Sequence, residues 1–354
     1  MTGAFKKHAL SAFAHSGFDR ACISMHGRDA LVLVYHGIVA EEKPEPFRYH
    51  HTVAEFERHL DWLGKRCSPV TLAEFARWKQ GDWHARKPPV LVTFDDGYRN
   101  NATVAAQLLR QKGIPAVFFL ASGYIAGDNV LWPDEVFARI CAWRSTTLEG
   151  PNAATHAIPL NRTEREAAAL AIVEECKNIP DDRRREFIAY LARETPECDS
   201  TLDAEAQRFM SWEEARGLEA SGFDLGSHTV THPILTSLSP EDLRRELRES
   251  RAIIKAQTGS ECLALAYPNG RARDISGSVL NEAAGAGYEY AFTVSNRWCR
   301  RTADALQLDR ISPPGHADLP TFAVHASGFR QLLRSAANRA EPASRTSEQP
   351  TRSG

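Results

Sequence analysis

No Cys-x-x-Cys pair occurs in this chain, and its seven cysteines (Cys22, Cys67, Cys141, Cys176, Cys198, Cys262 and Cys299) are scattered and odd in number. That pattern excludes a zinc knuckle and speaks against a disulfide framework; it fits a reducing compartment. A signal-peptide core is also missing. Lys6 and Lys7 lead the chain, but His8, Ser11, His15, Ser16 and Asp19 interrupt any apolar run. The first twenty residues read instead as a short amphipathic helix, and a cytoplasmic location is the expectation, with no membrane span. Charge of one sign is lacking too. The formal net charge is −2, from 43 basic and 45 acidic side chains, so no general attraction to nucleic acid or anionic lipid is expected. No internal repeat stands out, and the oligomeric state is not legible.

What is present is enough apolar residue for a large core, 43% of 354 residues, in one large domain or two small ones. Ala30–Tyr35, Val90–Phe94, Ile114–Leu120, Cys262–Tyr267 and Tyr288–Val294 read as buried strands, with Leu306–Ser312 as the last. Between them stand helix signals. Thr52-x-x-Glu55, Thr71-x-x-Glu74 and Ser211-x-x-Glu214 are capping boxes, Asn101–Lys112 ends at Gly113, and Ser239-Pro240 opens a helix ending near Gly259. A further helix is expected over Ser276–Ala284. Strand, helix, strand at this spacing is a parallel α/β rhythm. Residues 128–210 break it with a mostly helical, arginine-rich insertion. Its plain reading is a solvated flap; the sharper one is a substrate lid with Trp132 as a stacking platform for a sugar ring.

Two strand ends carry chemistry. The first reads Thr93-Phe94-Asp95-Asp96-Gly97, and the second Ser227-His228-Thr229-Val230-Thr231-His232-Pro233. Asp-Asp-Gly alone is ordinary turn chemistry, and a lone His-x-x-x-His is a weak signal. Together they offer two imidazoles and a carboxylate for a divalent metal, with positions left for water and substrate. Two adjacent carboxylates repel, so one can be a ligand while the other stays free to take a proton.

These two stretches resemble the first motifs of the polysaccharide deacetylases, the NodB-homology proteins of carbohydrate esterase family 4. The resemblance covers roughly residues 30–330, between a helical extension at 1–29 and a disordered tail at 331–354. It implies a distorted, incomplete (β/α) barrel that removes N-acetyl groups, sometimes O-acetyl groups, from sugars with a divalent metal. On these positions it implies Asp95 as general base and Asp96, His228 and His232 as ligands. Zinc is the first expectation, with cobalt, nickel or manganese also fitting.

Two departures from the family pattern shape the remaining expectations. Where the family's third motif reads Arg-x-Pro-Tyr-Gly, this chain has Ala266-Tyr267-Pro268-Asn269-Gly270. The turn that aims a backbone N–H at an oxyanion can persist, with Asn269 as donor beside Tyr267. Arg310 is the substitute for the missing arginine, unless it is an ordinary surface residue. The family's Leu-x-His acid is also not evident, since His316 and His325 lack a strand context. Family members whose motifs run in rotated order resemble the Tyr35-His36 end of the Ala30–Tyr35 strand, which implies His36 as the general acid; its plain reading is a strand end bonded to a loop. Two alternatives stand beside the deacetylase: a same-fold hydrolase of a small cyclic imide or amide, and a catalytically silent glycan-binding relative.

Overall fold

Seven short apolar segments pair side by side into one sheet: Leu31–Tyr35 (β1), Ser68–Pro69 (β2), Pro89–Phe94 (β3), Ala116–Leu120 (β4), Asp224–Ser227 (β5), Ala264–Ala266 (β6) and Tyr290–Phe292 (β7). The computed structural model describes residues 17–41, 49–196, 198 and 207–333. The strand order is β1-β3-β4-β5-β6-β7, with β2 also bonded to β3, and every pairing is parallel. Parallel strands are covered on both faces, so β1, β3 and β4 are buried at every position and read in sequence as unbroken apolar runs.

The sheet curls until its ends approach. Leu308 makes a parallel bridge to Phe292 of β7, and Ile311 makes one to Leu33 of β1. The strand expected over Leu306–Ser312 is therefore reduced to two single bridges, because the segment crosses from one edge to the other instead of running along either. The result is the expected distorted barrel of the NodB-homology type, with a helical insertion.

The helical signals are satisfied by the bonds that they predict. Thr52, Thr71 and Ser211 each complete a capping box, opening helices α2 (Val53–Arg66), α3 (Leu72–Gln80) and α8 (Trp212–Ala220). Ser239 caps α9 (Pro240–Thr258), which ends on left-handed Gly259. One helix departs from expectation: Asn101–Ala105 is a π-helical turn, and only Ala106–Lys112 (α4) is α-helical. Such wide turns concentrate at functional sites, and this one lies just beyond Asp95-Asp96.

Within 128–210 the chain forms α5 (Trp132–Cys141), α6 (Arg162–Cys176) and α7 (Asp181–Glu194), plus an antiparallel pair, Thr147–Glu149 with Thr155–Ala157. These helices have their own core, including Val136, Ile140, Ile172 and Leu191, and Ile234 from the barrel joins it. At the amino end, α1 (Phe18–Met25) is the helical part that is seen. Residues 1–16 of the expected extension and 334–354 of the expected tail lie outside the described residues. Among the described residues no helix is long and apolar enough to cross a membrane, and none of the seven cysteines is in a disulfide.

Candidate active site

The register of the sheet places the carboxyl ends of its strands together. Tyr35 is opposite Phe94, and Leu120 is opposite Ser227. His36, Asp95, His228 and Tyr267 each follow directly on such an end, where parallel α/β sheets gather their functional side chains.

Asp95 stays in line with β3, its N–H donating to Tyr35 O at 2.9 Å. The backbone then turns over. Asp96 and Gly97 both take left-handed conformations, with φ of 75° and 89°. Asp tolerates that region better than most residues. Gly97 is needed for space as well, since a Cβ there would lie 2.8 Å from Ile125 Cδ1. The reversal sends the two neighbouring carboxylates to different partners.

Asp95 meets Arg310. The guanidinium donates from Nη1 and Nη2 to the two carboxylate oxygens, both at 2.7 Å, and is held by Thr293 O and Thr93 Oγ1 at 3.1 Å. Arg310 is completely buried, so it is no surface arginine. Burial alone would raise the Asp95 pKa, but Arg310 first and His228 next outweigh it and bring the carboxyl down to about 2. Asp95 is ionised.

Asp96 has no such partner. Its Oδ1 lies 3.4 Å from His228 Nε2 and 3.6 Å from His232 Nε2, too far for good hydrogen bonds. Burial, then the charges of Asp95 and Asp134, push its carboxyl well above the usual range. Burial likewise lowers both imidazoles, so they are neutral and their lone pairs are available. His228 is oriented by its Nδ1, 2.7 Å from Ala266 O, which directs Nε2 at Asp96. The buried Nδ1 of His232 has no partner among the described residues. One carboxylate oxygen and two imidazole nitrogens thus converge within 4.8 Å, and a cation there would offset the negative charge of Asp95 and Asp134 that bears on Asp96. This is the one such group of His, Cys, Asp or Glu among the described residues. The donor set fits a divalent metal.

Sequence reasoning missed what holds the histidine loop. Glu246, buried on α9, accepts from the Val230 and Thr231 N–H groups at 2.7 and 2.9 Å and from Thr231 Oγ1 at 2.6 Å. Ser250, one turn further on, donates to Thr229 O at 3.0 Å and meets Ser227 Oγ at 2.7 Å. Those bonds secure a loop in which Thr229 and His232 both have positive φ. The polar residues recurring on one face of an otherwise amphipathic helix were the available signal.

Asp95, Asp96, His228 and His232 open into a cleft of about 880 Å3, one wall of which is the insertion, through Phe137, Leu170 and Val173. The insertion is therefore more than a solvated flap. His36, Tyr267 and Asn269 also line this cleft. The Tyr267 hydroxyl is engaged elsewhere, donating to Leu306 O at 3.0 Å. Asn269 has φ 59°, and its side-chain amide donates to Asp274 at 2.6 Å, so any role toward a ligand falls to its backbone. His36 is half-buried, with Tyr49 edge-on at 5.0 Å, and burial lowers its pKa to about 4. Trp132 also lines the cleft, but not as an open stacking platform. It is 5% exposed, Arg184 covers its ring at 4.4 Å, and its Nε1 donates to His232 O at 2.9 Å. His316 and His325 are not among the residues lining the cleft.

The polysaccharide deacetylase family model matches residues 84–171 and 177–291, over half of the chain and across both motif loops. The chain belongs to the polysaccharide deacetylase family. Membership carries hydrolytic deacetylation of an acetylated carbohydrate as its class of activity, generally metal-dependent. No curated protein matches the chain. Among solved structures, this deacetylase-family chain is similar to the Streptococcus pyogenes deacetylase PplD in complex with acetate, at 16% identity and a TM-score of 0.55, over 84% of this chain and 98% of that one. IcaB from Ammonifex degensii gives 20% identity and 0.54, over 85% and 98%. A de-N-acetylase from Aggregatibacter actinomycetemcomitans gives 15% and 0.53, over 84% and 99%. At these identities the likeness is one of fold.

Proposed function

We propose that the protein is a metal-dependent hydrolase that removes N-acetyl groups from a sugar, oligosaccharide or glycan precursor. The observation carrying this reading is one cleft with two neighbouring carboxylates in opposite conditions: Asp95 ionised against Arg310, and Asp96 unpaired between two neutral imidazoles. Asp96, His228 and His232 would hold the metal. When bound, a divalent ion supplies a lowered water pKa and polarisation of the acetyl carbonyl. Zinc suits two imidazoles and a carboxylate best.

The chain's own groups do the rest. Asp95 takes the proton of the attacking water, with Arg310 fixing both carboxylate oxygens so that the base cannot rotate away. The Asn269 backbone N–H, on its left-handed turn at the cleft wall, stabilises the oxyanion. Cleavage of the C–N bond leaves an amine that needs a proton. His36 supplies it, but the ring rests neutral, so the proton is one that it receives within the turnover, originating from the water. Phe137, Leu170 and Val173 give the insertion's wall an apolar part beside the charged Glu174 and Lys177. The scattered, odd-numbered cysteines of the sequence fit a reducing, cytoplasmic setting.

Acetate release from a panel of N-acetylated saccharides, before and after chelation and metal restoration, tests the reading. Loss on chelation and recovery with zinc is the expected result. Activity that survives exhaustive chelation overturns the metal, and no release from any saccharide overturns the substrate class.

A further inference from the structure

One carboxyl group in the cleft has no part in that chemistry. Asp134 stands in the first turn of α5, is 3% exposed, and lines the same cleft as Asp95 and Asp96. Three separate parts of the chain position it. Tyr98, fully buried just beyond the Asp-Asp turn, donates its hydroxyl to Oδ2 at 3.2 Å. Tyr49, from the segment before α2, donates to Oδ1 at 3.3 Å and is itself in the cleft wall beside His36. The rings are fixed as well: Tyr98 stacks on Phe209 at 5.3 Å and meets His50 edge-on at the same distance. A barrel loop, an entry loop and the insertion therefore combine to hold one carboxyl rigidly at the edge of the reaction site.

Such an investment is not needed for stability. A carboxyl taken out of water is costly to hold even when its oxygens are paired, so its burial at the cleft edge is weak evidence for a stability role. The two Asp134 oxygens offer four lone-pair sites between them; Tyr98, Tyr49 and the Gln207 side chain engage three, so one acceptor site remains. A pre-oriented acceptor in a sugar-sized cleft matches a ring hydroxyl, and such buried acceptors discriminate strongly against ligands that lack the donor.

The geometry points to Asp134, clamped by Tyr98 and Tyr49, as the acceptor for a hydroxyl of the sugar unit whose acetyl group is removed. The inference rests on the deacetylase reading and names the residue through which the insertion selects a saccharide. Asp134 is thereby a specificity-determining residue; it takes no part in bond making.

The test uses the full-length metal-loaded enzyme with two substrates, an N-acetylated chito-oligosaccharide and 4-nitrophenyl acetate, which has no sugar hydroxyl. Asp134→Asn keeps the shape and weakens the acceptor. Its loss of kcat/KM on the saccharide should exceed its loss on the ester by roughly 10–100-fold, the range for a hydrogen bond to a charged group. Tyr98→Phe, which removes one clamp, should show the same imbalance at smaller size with unchanged metal content. Mono-deoxy N-acetylglucosamine analogues identify the partner: the analogue lacking the hydroxyl that is read should be equally poor for wild type and Asp134→Asn. Parallel losses on both substrates, or no loss in either variant, overturn the inference. A wild type inactive on every saccharide overturns the deacetylase reading itself, and is seen before any variant is made.

Discussion

Arg310 and Asp95 lie 215 positions apart in the chain and meet through two parallel 2.7 Å hydrogen bonds at the centre of the barrel mouth. The arginine reaches the site because Leu308–Ile311 crosses from β7 to β1, bridging both. Closure of the sheet and provision of a counter-charge for Asp95 are thus the same structural event.

Arg310→Gln should therefore harm stability and activity together. Breaking a buried pair by removing one partner costs about 3–5 kcal/mol, because the other charge is left uncompensated. The Asp95 pKa should then rise from about 2. Since the folded value is depressed below the ordinary 3.8, the wild-type pair stabilises fully above pH 3.8 and is lost as pH falls through about 2. The variant should lack that contribution at neutral pH, as denaturant melts of both proteins at pH 7 can establish. Arg310→Lys should recover only part of it, because the two-pronged geometry is gone.

Asp95→Asn and Asp96→Asn should separate cleanly. The first should retain metal and lose about 10²–10⁴-fold in rate, the usual worth of a general base. The second should lose metal. Metal analysis alongside turnover checks both, and indistinguishable behaviour of the two variants would refute the division of labour.

The legible parts of the site were those compressed into short stretches. Asp95-Asp96 and His228 with His232 each sit in one loop after one strand, so order and spacing carried them. Arg310 was reachable by asking what replaces a missing arginine, though its complete burial was not. Trp132 was misread because exposure is a tertiary property: Arg184, 52 positions later, is what covers the ring. Asp134 and Glu246 were invisible for the same reason, since their partners come from distant segments and neither has a motif. The fold was legible because parallel strands buried on both faces announce themselves as apolar runs. Leu306–Ser312 was overread, since an apolar segment that crosses a sheet's ends looks in sequence like one that lies along an edge.

Glu246→Ala should weaken metal binding without touching a ligand. It leaves the Val230 and Thr231 N–H groups unpaired and frees the loop carrying His232. Losses of about 10–100-fold in metal affinity are typical when an orienting partner is removed. Competition with a chromogenic chelator measures this, and an unchanged affinity would limit Glu246 to a stability role.

Acid should destabilise the fold well above the range of its carboxylates. His26, His59 and His325 are each lowered by burial to about 4. Between pH 6.5 and 4 the unfolded chain binds protons that the folded chain excludes, so stability falls as pH falls through that window. Denaturant midpoints at pH 7, 6, 5 and 4 should decline progressively. A flat profile down to pH 5 would show that these rings are hydrated and charged in the folded protein.

The last prediction concerns His36. With its pKa near 4 the ring is neutral at pH 7, so it can protonate the leaving amine only by passing on a proton gained during the same turnover. His36→Ala should then cut N-deacetylation strongly, while 4-nitrophenyl acetate, whose leaving group needs no proton, should lose much less. His36→Gln should behave like alanine, because an amide keeps a hydrogen bond but relays no proton. The competing account is that His36 supports Tyr49, whose ring lies 5.0 Å away, and through it the cleft wall. On that account glutamine should restore much of the activity, and both substrates should suffer by similar factors in the alanine variant. Metal content should stay unchanged in either case. A selective loss with no rescue by glutamine makes His36 the proton donor; equal losses with rescue make it a prop, and the donor must then be Asp95 itself, returning the proton that it took.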